Sequence, residues 1–150
     1  MEVDYIVLAD AAAALNGKHY IHGGGWDTIL ASAFPMTQAL MSLAVRLRVP
    51  WAETNQPHEL LLDVVDGDGA SLLPQPGAVH GTINVGRPAQ LAPGSDQVLP
   101  LAFDLRGVPF AAPGDYAVVV RLDGQDAARA RFTVRANPAS GSGASPAAQA

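Results

Sequence analysis

The hydrophobic positions of this chain recur mostly at every second residue. Between 116 and 122, Tyr116, Val118, Val120 and Leu122 share one face. Between 128 and 135, Ala128, Ala130, Phe132 and Val134 share a face, and Arg129, Arg131, Thr133 and Arg135 take the other. A period of two marks a strand with one side in the core and one in water. Asp123-Gly124 between the two runs is a two-residue hairpin turn. The pattern predicts Phe132 in the core, with Tyr116 and Val118 across the pair, and Arg129 and Arg131 in solvent.

Earlier segments carry the same signal. Val3–Asp10 is apolar on both faces, as a central strand is. Asn16-Gly17 turns the chain into a short return strand, Lys18–His22, and Trp26–Ala31 reads as another. Met41, Leu43, Val45, Leu47 and Val49 alternate with Ser42, Ala44, Arg46 and Arg48. Residues 36–47 also fit a helix, because Met36, Leu40, Leu43 and Leu47 share a helical face. The regular alternation and the stop at Pro50 favour a strand. Leu60–Val65 is closed by Asp66-Gly67-Asp68-Gly69. Val79, Ile83 and Val85 mark a strand, and Leu99–Leu105 another, with loops over 86–97 and 107–113. About eight strands at this spacing predict an all-β chain: one antiparallel β-sandwich over residues 1–135. The Ala/Ser/Gly/Pro segment 136–150 is expected to be a disordered tail.

Composition narrows the picture. A chain of 150 residues, 49% hydrophobic and 15% charged, suits one globular domain with its own core. The net charge of −5 gives no general attraction to nucleic acid or to an anionic membrane, so neither is an expected partner. With no cysteine, disulfides, thiolate metal sites and Cys nucleophiles are excluded. The opening Met1-Glu2-Val3-Asp4 lacks the basic segment of a signal peptide. Pro35, Gln38, Arg46 and Arg48 break the most apolar stretch, so no membrane helix is expected. These features together predict a cytoplasmic protein.

The candidate chemistry is sparse. Gly23-Gly24-Gly25 lacks the Lys-Ser/Thr that a phosphate loop requires, and reads as a turn or bulge. Asp66 and Asp68, with Asp63, resemble the start of a calcium loop, yet position 77 is Gly where an EF-hand needs Glu. A tight turn explains the same residues, so calcium stays an alternative. His19 and His22 fall on opposite faces of a strand and cannot share a metal. No G-x-S-x-G nucleophile elbow occurs. Arg121, Arg129, Arg131 and Arg135 gather half of the arginines on the outer face of one hairpin. Such a face either meets an anionic partner or is a solvated surface that resists edge pairing. Trp26, Trp51 and Tyr20 could form an aromatic platform for a sugar or peptide, although core packing is the commoner use of tryptophan, and Trp51, at a strand end beside Pro50, is the tryptophan placed to be exposed.

The segments Asp4-Tyr5-Ile6-Val7-Leu8-Ala9-Asp10 and Gly23-Gly24-Gly25-Trp26-Asp27 resemble an uncharacterised family of short bacterial proteins. Arg46–Trp51, Leu60–Gly69 and the hairpin over 113–134 extend the likeness to most of residues 1–135. The resemblance implies a compact all-β domain and transfers no functional residue. Pro113-Gly114-Asp115-Tyr116 is also similar to the closing strands of immunoglobulin-like modules. The expected function is therefore a non-catalytic protein–protein interaction or assembly module, self-association included, that needs no cofactor. Arg121, Arg129, Arg131 and Trp51 are its expected contact residues. The alternative is a module that binds a small ligand or calcium through the 63–69 and 22–27 loops.

Overall fold

A computed structural model of the chain describes residues 1–74, 77 and 79–141. Nine strands run through them: β1 (Glu2–Leu15), β2 (Lys18–Gly24), β3 (Thr28–Ala31), β4 (Met36–Val49), β5 (Pro57–Val65), β6 (Val79–Asn84), β7 (Gln97–Phe110), β8 (Gly114–Leu122) and β9 (Gln125–Ala136). They form a four-stranded sheet in the order β2-β1-β4-β7 and a five-stranded sheet in the order β3-β9-β8-β5-β6. The class is all-β, as the alternation predicts. The count is nine where about eight were expected. One pairing also departs from an all-antiparallel plan: β3 runs parallel to β9, with Thr28 opposite Thr133 and Ala31 opposite Ala136. The chain leaves the first sheet at Gly25, whose N–H donates to Leu8 O, and arrives at the edge of β9 already pointing along it. Four residues suffice for this strand, so it carries little periodic signal.

Residues 36–47, open between helix and strand, are strand. β4 pairs with β7 from Met36 opposite Phe110 to Val49 opposite Gln97. This long ladder takes in most of the segment expected as a loop over 107–113, leaving only 111–113 as the turn into β8. Both hairpin turns use positive φ at their two central residues, Asn16 and Gly17, then Asp123 and Gly124. That geometry matches the strand twist and explains the Asn-Gly and Asp-Gly pairs. β9 extends to Ala136, and a 3-10 turn follows at Pro138–Gly141. The strand thus overruns the expected boundary by one residue. Residues 142–150, the rest of the predicted tail, lie outside the described residues.

β1 pairs with β4 through its first half, Glu2 to Ala9, and with β2 through its second, Ala9 to Leu15. The second half folds back over the first sheet. His19, at the tip of the β1–β2 hairpin, bonds the Tyr5 hydroxyl at 2.9 Å and Leu101 O at 2.9 Å, so its ring ties the hairpin to β1 and β7. Beneath it Ala9, Ser42 and Ala44 are fully buried. Only small side chains fit in this fold-back, which accounts for the alanines there.

The core lies between the sheets. Leu43, Val45, Leu47, Leu105 and Phe110 face Leu62, Val64, Val118, Val120 and Phe132. Phe132 is 2% exposed. Its ring meets Trp26, Phe110 and Tyr116, with centroids 6.1, 5.9 and 6.0 Å away. The predicted register of the last hairpin holds, with Tyr116 opposite Phe132 and Val118 opposite Ala130. Replacing Phe132 with Ala should cost about 3–5 kcal/mol, as buried aromatic truncations do. Urea unfolding monitored by circular dichroism measures it, and a loss below about 1 kcal/mol would mean the ring is not a core element.

Candidate functional site

The outer face of the five-stranded sheet collects the charged residues singled out in the sequence. In the β8–β9 ladder Arg129 stands opposite Val119 and Arg131 opposite Ala117. In the β5–β8 ladder Asp63 is opposite Val119, and Leu61 opposite Arg121. Val65, Ala117 and Val119 form a second, smaller apolar cluster on this face. Sequence alternation assigned these positions to solvent, yet Val119 is fully buried. Arginine stems cover apolar neighbours while their guanidinium groups stay in water, and cross-strand neighbours are close enough for it.

The acidic groups sort the arginines. Asp126 accepts from Arg121 Nε at 2.7 Å and from Arg129 Nη2 at 3.1 Å. Arg121, with Arg129 beside it, holds the Asp126 carboxyl below the ordinary carboxylate range. Asp63 is 4% exposed and accepts the Ser71 hydroxyl at 2.6 Å, with Arg121 Nη1 at 3.9 Å. A carboxylate buried to that degree requires such partners. Arg131 is exposed and forms no ion pair among the described residues. It lines, with Arg129, Asp66, Asp115 and Ala117, a groove of about 260 Å³. The groove runs between the β8–β9 face and the turn after β5.

That turn is the proposed calcium loop, and the structure gives its carboxylates other work. Asp66 Oδ1 accepts the N–H groups of Asp68 and Ala70, both at 2.9 Å, and fixes a tight turn. Asp63 is turned to Ser71 and Arg121. Among the described residues no three His, Asp or Glu side chains are placed to hold one ion. Asp66 thus anchors a hydrogen-bonded turn, the reading that the turn residues already favour.

Trp51 does not join the arginine face. It lies in the short 3-10 turn Trp51–Glu53 with the Arg87 guanidinium 4.4 Å over its ring. Arg87 also donates to Trp51 O at 2.8 Å and to the Thr54 hydroxyl. The ring is a seat for an internal cation, not an open platform. Sequence reasoning missed His58, expected in a turn. It is the second residue of β5 and buried, bonded to Asp123 Oδ2 at 2.8 Å and Glu53 O at 3.0 Å. The hydrogen bond from His58, then the Glu59 N–H, lowers the Asp123 carboxyl from its ordinary value. No local signal marks His58, because its partners come from 5 and 65 residues away.

Two packed sheets, one with arginines and carboxylates interleaved on its outer face, define an all-β domain. The chain belongs to a family of unknown function, DUF6941, whose model matches residues 4–135. No curated protein matches the chain significantly. The matched span covers the folded strands and stops at Arg135. No helix among the described residues is long and apolar enough to cross a membrane.

The Asp126 pairing has a defined pH dependence. Its folded pKa is lowered, so its contribution is present above the unfolded value and fades as pH falls through the folded one. The Asp126→Asn protein should show a shallower loss of stability between about pH 5 and 3 than the parent. At pH 7 the two should differ by less than about 1 kcal/mol, because the pair is exposed. Urea midpoints across that pH range check both statements.

Proposed function

We propose that this domain is a non-catalytic interaction module whose basic sheet face receives an acidic segment of a protein partner. The observation that carries the reading is Arg131, exposed and without an ion pair among the described residues, beside a groove with an apolar floor at Ala117. Among the described residues Arg129 pairs with one carboxylate, Asp126. Arginine pairs with carboxylates in a fixed, two-pronged geometry, which suits a binding face. The chain itself is acidic, so a second copy is one source of such a segment.

The immunoglobulin-like character of the sandwich belongs to the same reading. The Tyr116 hydroxyl donates to Ala112 O at 2.7 Å, the tyrosine-corner arrangement of such folds. A bacterial origin and a cytoplasmic place of action complete it. They are supported by the Ala-, Gly- and Pro-rich composition and by a fold that needs no disulfide. Cell fractionation with an antibody to the chain checks the location.

Replacing Arg129 and Arg131 together with Ser should change stability by no more than about 0.5 kcal/mol per site, as exposed substitutions do. The same double change should remove the proteins that the parent captures from its native host, identified by mass spectrometry. Light scattering of the parent and the variant tells self-association from a different partner. Equal capture by both proteins would refute the arginine face as the binding surface.

A further inference from the structure

The two sequence segments that carry the family resemblance meet in the structure, at a place remote from the arginine groove in its lining. Asp10 ends the first segment and Trp26 lies in the second. Both line a cavity of about 410 Å³ together with Thr28, Ile29, Leu30 and Gln38. The Asp10 side chain lies close against Gly23. Gly23 has φ +58°, and a Cβ there would collide with the Asp10 carboxylate. Only glycine lets that carboxylate lie against the turn.

The polar chemistry of the wall is one-sided. Asp10 forms no ion pair or side-chain hydrogen bond among the described residues. Gln38 donates its Nε2 to Leu40 O at 3.0 Å, which leaves Oε1 as its acceptor. Thr28 donates its hydroxyl hydrogen to Asp27 Oδ1 at 3.0 Å, which leaves its lone pairs. No Arg, Lys or His lines the cavity. The indole N–H of Trp26 is buried, so what that side chain offers is its ring. The ring makes an edge-to-face contact with Phe132. A carboxylate, two further acceptors and an indole face are complementary to a cation that carries N–H groups.

We propose that this cavity binds an alkylammonium or guanidinium group, seated between the Asp10 carboxylate and the Trp26 ring. The cation comes from a free amine or from a lysine or arginine side chain of another protein, since both present the same group. The site is separate from the arginine face, so each reading stands or fails alone.

The test uses the full chain carrying Trp51→Phe, so that Trp26 gives the single indole N–H signal in a nitrogen–proton correlation spectrum. The probes are methylammonium, methylguanidinium and the capped peptide acetyl-Gly-Arg-Gly-amide, each at ionic strength matched with sodium chloride. The Trp26 signal should move saturably with at least one probe and not with sodium chloride. Asp10→Asn should weaken that binding about tenfold, the effect of losing one charge partner and its hydrogen bonds. Gln38→Leu should weaken it less, and serves alone if Asp10→Asn does not fold. Saturation by the peptide alone assigns the cation to a protein side chain. Saturation by the free cations assigns a small amine. No saturable shift with any probe, or undiminished binding by the folded variants, would overturn the proposal.

Discussion

Phe132 is the contact on which the two sheets depend. It sits on β9 of the five-stranded sheet, and its ring reaches Phe110 of the four-stranded one. Tyr116 from the neighbouring strand and Trp26 from the crossover between sheets complete the cluster. The contacts of Phe132 with Trp26 and Phe110 are edge to face and that with Tyr116 is stacked, and such aromatic pairs add to the area they bury. The cluster also locks the hairpin register. A slip by one residue would exchange Phe132 for Arg131 and place a charge in the core.

That same register creates the basic face. When Phe132 and Val134 point inward, Arg129, Arg131 and Arg135 must point outward. Arg129 stands across from Val119 and Arg131 across from Ala117, so the outer side carries a second, thin apolar cluster beside its charges. Asp126 takes up part of the charge and Asp63 anchors Arg121 from below. The arginine face is thus a by-product of core packing that leaves two guanidinium groups, those of Arg131 and Arg135, without an ion pair among the described residues.

The fold-back of the β1–β2 hairpin is a different device. A single strand, β1, serves both halves of its sheet by pairing with β4 and then with β2. The bend brings Asp10 toward the Gly23–Trp26 turn, and His19 ties the far end to Tyr5 and Leu101.

The sequence by itself determined the class, most strands and the register of the last hairpin, because period-two alternation and Asn-Gly or Asp-Gly turns are local properties. It also placed Arg129 and Arg131 in solvent and Phe132 in the core. Tertiary structure alone decided the parallel seat of β3, the fold-back of β1, the burial of Val119 and His58, and the uses of Asp63 and Trp51. Each of these depends on partners distant in the chain. Val119 stands across from Arg129 of another strand, and His58 is held by an aspartate 65 residues away. Local pattern reports which face a residue takes. What stands on that face is set by how the sheets and their turns close over it.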